Sequence, residues 1–154
     1  MTSVHGGVSV NWFDNVCVST LSGAFNEEGI SNWFLLLQQS WTELGKPERW
    51  AHVLDMYGWQ GRTPETTPLV RKGVIWANTH GLSCSVIIME QGPASIFIKM
   101  NQTANPVIPA DADVTICQNY EEAMAQLQRR HFTVPLQRLR PQAAPPLQQH
   151  SKNL

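Results

Sequence analysis

The spacing of apolar residues changes near residue 26, from the alternation typical of strands to the three- and four-residue spacing typical of helices. Residues 8–13 and 16–21 are short β-prone runs separated by Asp14-Asn15, a pair suited to a tight turn. Asn26 is a suitable N-cap for the helix that follows. Large apolar residues then recur on one helical stripe up to Gly45: Ile30, Trp33, Phe34, Leu37, Trp41 and Leu44. The pattern predicts a hairpin followed by a helix whose aromatic stripe packs in the core.

Three later apolar runs predict further strands. Residues 50–56 are consistent with a buried strand, and residues 114–118 with a last strand. Residues 83–89 have a nearly continuous apolar end, as expected for a strand covered on both faces. Residues 57–61 contain two glycines and predict a loop after the central strand.

Helix signals lie between and after these strands. Thr63-Pro64 or Thr67-Pro68 can start a helix that runs to about His80, because proline is favoured at the first helical position. Asn119, with Glu122 three residues later, predicts the start of a closing helix through Arg130. Residues 94–102 fit either a strand or a short helix, and the crossover between parallel strands favours the helix.

The order of elements is therefore ββαβαβ(α)βα. It predicts an α/β fold with a mixed, mostly parallel sheet of about five strands and about four helices. Binding sites in such sheets lie at the carboxyl ends of the parallel strands. Here those ends fall near Phe25, residues 57–61, residues 90–93 and Gln118.

Composition narrows the class of protein. Charged residues make up 15% of the chain, below the roughly 25% of typical soluble domains, yet no apolar run approaches the ~18 residues of a membrane-spanning helix. The net charge of -1 gives no overall attraction to nucleic acid. The amino terminus lacks the basic segment followed by an apolar segment that is typical of a secretory signal peptide. We therefore expect a cytoplasmic protein with no transmembrane segment and no nucleic-acid partner.

Charge is distributed unevenly along the chain. Up to Gln128 there are 6 basic and 12 acidic residues, whereas from Arg129 onward there are five basic residues and no acidic one. From Pro135 the chain is also rich in proline and glutamine and poor in large apolar residues. These features predict a folded domain at residues 1–130 and a flexible basic tail at residues 131–154.

No pattern of reactive residues matches a known catalytic or metal-binding motif. Cys17, Cys84 and Cys117 lack CxxC spacing and lie in apolar runs, which is typical of buried core residues. The histidines show no HExxH spacing, and no nucleophile elbow or glycine-rich phosphate loop is present. An acid–base set built from His52, His80, Asp55 and Glu90 is the remaining enzymatic alternative. We expect no enzyme, no metal and no cofactor.

Several strings, taken in order, resemble a known family. The strand LDM followed by YGW, the helix that begins with PE, the strand SVIIME and the closing segment TICQNYEEAMAQL are similar to the SpoIIAA-like branch of the STAS-fold proteins, over about residues 5–130. The resemblance implies a βα fold without known enzymatic chemistry. Relatives act as anti-anti-sigma regulators, as sensor or transporter modules, or share their shape with lipid-carrying domains.

The regulatory relatives carry a phosphorylatable Ser or Thr after an Asp, in a D-S-x-G-like turn where strand meets helix. The corresponding string is Asp55-Met56-Tyr57-Gly58, in which Asp55 and Gly58 match but no Ser or Thr lies between them. The resemblance therefore leaves a serine-kinase switch without its residue. Tyr57 offers a different hydroxyl, and Thr63, the nearest one after the turn, is expected to cap a helix.

Two functions remain open on this basis. The first is a regulatory or adaptor domain that contacts an unidentified protein partner through the turn from Asp55 to Arg62. The alternative is a carrier of a small apolar or lipid-like ligand, in a pocket walled by Tyr57, Trp59 and Trp76 with His52 on the adjoining strand. The tryptophans would also suit a plain core or a partner surface. A homodimer through an edge strand is possible. The candidate partner- or ligand-binding residues are His52, Asp55, Tyr57, Gly58, Trp59, Arg62 and Trp76.

Overall fold

The computed structural model describes residues 4–90, 92 and 112–134. In chain order these residues form β1 (Gly7–Phe13), β2 (Val16–Phe25), α1 (Glu27–Glu43), β3 (Trp50–Arg62), a 3-10 turn (Pro64–Thr66), α2 (Thr67–Thr79), β4 (Leu82–Ile88), β5 (Val114–Cys117) and α3 (Tyr120–Arg129).

The five strands form one sheet in the order β1-β2-β3-β4-β5. β1 and β2 pair antiparallel as a hairpin, and the other neighbours pair parallel. The predicted α/β class and mostly parallel sheet are confirmed. The described residues contain three α-helices rather than four. The fourth was predicted at residues 94–102, which lie outside the described part of the chain.

The core lies on both faces of the sheet. On one face, α1 and α2 cover a cluster that includes Leu21, Ile30 and Ile87. On the other, Ala123 and Leu127 of α3 pack on Val53 and other β-branched strand residues. Alternate residues of a strand point to opposite faces, so neighbouring residues of β3 serve different halves of the core.

The predicted hairpin turn and the two predicted asparagine caps are present. Asp14 adopts a positive φ of 54° in the two-residue turn of the hairpin. The Asn26 side chain accepts a hydrogen bond from the Gly29 backbone N–H at 2.9 Å, and Asn119 accepts one from Glu122 N–H at 2.8 Å. Both helix starts are therefore fixed by local sequence, as predicted.

The loop predicted at residues 57–61 is wrong, because β3 continues to Arg62. β2 is also longer than predicted, and Ser22, Gly23 and Phe25 supply the backbone partners for this extension. Two register shifts interrupt the pairing, between Thr20 and Ser22 and between Gly23 and Phe25. The glycines that suggested a loop instead accommodate irregular pairing in a strand.

The folded part of the chain continues past the predicted boundary at residue 130. Phe132 and Val134 are buried in the core on the α3 side, and the Arg49 guanidinium lies 3.8 Å from the centroid of the Phe132 ring. The expected tail thus contributes two core side chains, and residues 135–154 lie outside the described residues.

None of the helices in the described chain combines the length and apolar character needed to cross a bilayer.

Candidate functional site

A negatively charged surface with an exposed tyrosine lies where the parallel strands end. It is formed by Asp55 and Tyr57 of β3, Glu90 after β4, and the first residues of α3: Tyr120, Glu121 and Glu122. We call this set the Tyr57 face.

Tyr57 is exposed at an irregularity in the pairing of β3 with β2. Thr20 pairs with Asp55 and Ser22 pairs with Gly58, so β3 has one residue more than β2 over this stretch. Such a bulge changes the direction in which the next side chains point. Met56 is buried at 9% exposure, whereas Tyr57 beside it is 48% exposed. An aromatic side chain is thus exposed to solvent at the bulge, directly after a core residue.

Asp55 anchors this surface. Its side chain is buried, the Tyr120 hydroxyl donates a hydrogen bond to its Oδ2 at 2.5 Å, and the Tyr57 backbone N–H donates to its Oδ1 at 3.2 Å. A buried carboxylate needs such donors to offset the loss of hydration. Asp55, the last residue of β3 that pairs with β4, thus ties the middle of β3 to the start of α3 and fixes the backbone that carries Tyr57.

The two tyrosines of the face remain protonated at neutral pH. Partial burial, followed by the negative charges of Glu90, Asp55, Glu122 and Glu121, raises the pKa of Tyr57. Burial, together with the hydrogen bond to Asp55, raises the pKa of Tyr120 well above its ordinary range. Every charged group that shifts Tyr57 is a carboxylate, so the surroundings of this side chain are electrostatically negative.

His52 lies away from the Tyr57 face. It is buried on the α1 side of the sheet, where its Nε2 lies 2.7 Å from the Ser19 hydroxyl, which also accepts a hydrogen bond from Trp33 Nε1 at 3.1 Å. Burial lowers the pKa of His52 to about 3. Asp55 faces the opposite side of the same strand. The two residues are therefore not brought together as an acid–base pair.

Trp59 and Trp76 lie at opposite ends of the molecule. Trp59 stacks on Phe25 with ring centroids 5.0 Å apart, near the carboxyl end of β3. Trp76 of α2 stacks on His80 at 4.9 Å and contacts Trp50, the first residue of β3. Nine residue steps of extended strand separate Trp50 from Trp59, about 30 Å. The structure does not bring the predicted aromatic walls of one pocket together.

Arg62 links strand to helix. Its Nη1 donates hydrogen bonds to Thr67 Oγ1 at 2.8 Å and to Thr66 Oγ1 at 3.0 Å. Burial, and then the charge of Arg71, lowers its pKa. Thr63 accepts through its backbone carbonyl and makes no side-chain cap bond, so the cap expected of its hydroxyl is wrong.

Gly58 is required by a close approach of β2. A Cβ at this position would lie 2.9 Å from the Ser22 Cβ. The Ser22 Oγ is buried and has no hydrogen-bond partner. Gly58 therefore lets the two strands meet beside the exposed Tyr57.

The sequence pattern does not reveal the α3 contribution to this surface. It identifies Tyr120 and Glu122 only as the start of a helix, and Gln118 as a strand's carboxyl end. The available signal was the occurrence of acidic or aromatic residues near the predicted carboxyl ends of three strands, close to Asp55, Glu90 and Gln118.

Within the described ranges no group of three or more His, Cys, Asp or Glu residues could hold a metal ion.

Comparisons with known proteins support the fold. No protein-family model matches the sequence, and no curated protein matches it either. A solved structure that is similar to this chain is an uncharacterized protein of the DUF3478 family with a SpoIIAA-like fold, from Shewanella loihica PV-4. The similarity has a TM-score of 0.60 at 14% sequence identity and covers 82% of this chain and 98% of that one. The chain therefore has a SpoIIAA-like fold.

Proposed function

We propose that this chain is a STAS-like regulatory or adaptor domain that binds a protein partner through the Tyr57 face. The observation that carries the proposal is the exposure of Tyr57 on a backbone fixed by Asp55 and Tyr120. Tyrosines on rigid supports are frequent anchors of protein interfaces, because they bury a large area at a small cost in side-chain entropy.

A non-enzymatic role agrees with the state of the reactive groups in the described residues. Burial raises the pKa of all three thiols, that of Cys84 to about 11, so they are poor nucleophiles at neutral pH. His52 is neutral and enclosed. Free, buried thiols also suit the reducing cytoplasm, where we place the protein.

The alternative, a carrier of an apolar ligand, would need space between α1 and α2 beside Trp76. At that position Trp76 contacts Trp41, Trp50 and His80. The Phe34 ring lies so close to Gly73 that a Cβ there would overlap it. These contacts favour a packed core, so we place the partner-binding function first.

Affinity capture with matched variants tests the partner-binding proposal. The tagged protein and its Tyr57→Ala and Ile75→Ala variants are isolated from the protein's own host, and copurifying proteins are quantified by isotope labelling. Ile75 is 60% exposed on α2 and serves as the control. A partner lost about tenfold or more with Tyr57→Ala, equivalent to roughly 1.4 kcal/mol, and kept with Ile75→Ala supports the proposal. Equal recovery with both variants contradicts it.

Native mass spectrometry separates the adaptor from the carrier and from a homodimer. The adaptor predicts the bare mass of the chain once the partner is removed. A non-covalent adduct of lipid or metabolite size that disappears in a Trp76→Glu variant would favour the carrier. A doubled mass would favour a dimer, for which β1, at the edge of the described sheet, offers one unpaired side.

A further inference from the structure

The Tyr57 face and the C-terminal segment of the same chain carry opposite charges. The negative charges of four carboxylates act on Tyr57, whereas residues 135–154 contain Arg138, Arg140 and Lys152 and no Asp or Glu. Groups of opposite charge on one chain attract each other at the high effective concentration set by their tether.

The last described residue lies on the same side of the sheet as Asp55. Val134 belongs to the core cluster that contains Val16, Val18 and Val53. Asp55 is two residues after Val53 on β3 and therefore faces the same side. Val134, after which this segment begins, thus lies on the side of the sheet that carries the Tyr57 face.

The length of chain is sufficient to reach this surface. The Phe132 ring lies against Arg49, two residues before Ala51, the strand partner of Val16. From Val16 to Ser22, which pairs with Gly58 beside Tyr57, there are six strand residues, or about 20 Å. Arg140 follows Val134 by six residues and in extended chain reaches about 20 Å. The more distant Lys152 has a greater reach.

We propose that the basic segment of residues 135–154 docks on the Tyr57 face of its own chain, with Arg138 and Arg140 against its carboxylates. A guanidinium can also stack on the exposed Tyr57 ring, which adds a cation–π attraction. The bound segment covers the surface to which the proposed partner binds and so competes with that partner. This competition rests on the proposed function. The docking itself requires no partner.

Paramagnetic relaxation measured on the full-length chain tests the docking. The three native thiols are buried, so a nitroxide can be attached selectively to a Gln142→Cys variant. Docking predicts selective loss of the amide signals of Tyr57 and Gly58, while those of His80 and Gly81, beside the first residue of β3, persist. High salt should restore the lost signals, because it screens exposed charge pairs.

Charge reversal provides the matched control. Arg138→Glu with Arg140→Glu should restore the Tyr57 and Gly58 signals, whereas Lys46→Glu with Lys72→Glu, which changes the net charge equally, should leave them broadened. Uniform broadening, or broadening that survives the arginine reversal, would overturn the inference. So would broadening of an isotope-labelled chain by a separate nitroxide-labelled copy, since that contact is between molecules. None of these results depends on a partner, so the proposed function would stand or fall separately.

Discussion

At the scale of single residues, the hydrogen bond between Tyr120 and Asp55 joins two elements at the Tyr57 face. The hydroxyl lies 2.5 Å from the buried carboxylate, and hydrogen bonds to charged groups contribute about 1.5–3 kcal/mol. We predict that Tyr120→Phe lowers the free energy of unfolding, measured by urea denaturation, by an amount in that range. Tyr57→Phe removes an exposed hydroxyl instead and should have little effect. Equal stability of both variants would show that the Asp55 bond contributes nothing.

His52 makes stability depend on pH. Its pKa in the folded protein is lowered to about 3 by burial, whereas the unfolded chain takes up the proton near pH 6.5. Between these values the unfolded state binds more protons, so stability is complete above the unfolded pKa and falls as the pH is lowered. From pH 7 to 5 we expect this group to remove about 2 kcal/mol.

Denaturant titrations at the two pH values measure this effect, and a His52→Gln variant is the comparison. The variant should lose less stability than the wild type over the same interval. Two results would show that His52 is not buried in its neutral form. One is an equal loss of unfolding free energy in the variant and the wild type. The other is titration of the His52 ring resonances above pH 5 in the native protein.

At the scale of elements, the bulge in β3 depends on a residue without a side chain. A Cβ at Gly58 would lie 2.9 Å from the Ser22 Cβ, and such crowding typically costs about 1–3 kcal/mol. We predict a loss of this size for Gly58→Ala in chemical denaturation. Gly92→Ala is the control, because a Cβ there meets nothing within 4 Å. A Gly58→Ala variant as stable as the Gly92→Ala control would contradict the close approach.

The sequence predicted elements better than it predicted their ends and contacts. Asn26 and Asn119 act within one helical turn, so local sequence suffices to find both helix starts. The continuation of β3 through Tyr57 depends on pairing with β2, which lies far away along the chain. For the same reason, the sequence around Tyr120 or around Asp55 does not predict their contact, since the two residues lie 65 positions apart.

At the scale of the whole molecule, the core extends beyond the closing helix. Phe132 is 1% exposed and Val134 is 2% exposed, although composition assigned both to a tail. Replacing a buried Phe by Ala typically costs 3–5 kcal/mol, about 4 on average. We predict a loss of this order for Phe132→Ala by thermal or chemical denaturation, and almost none for Thr133→Ala, whose side chain is exposed. Similar stabilities would place the domain boundary before Phe132 after all.

Crosslinking inside the host cell tests most directly whether the Tyr57 face contacts a protein partner. A photoreactive phenylalanine analogue replaces Tyr57 in one strain and the equally accessible Leu35 of α1, 53% exposed, in another. Contact through the Tyr57 face predicts a discrete crosslinked species from position 57 that position 35 does not give. The same species from both positions, or from position 35 alone, would contradict it.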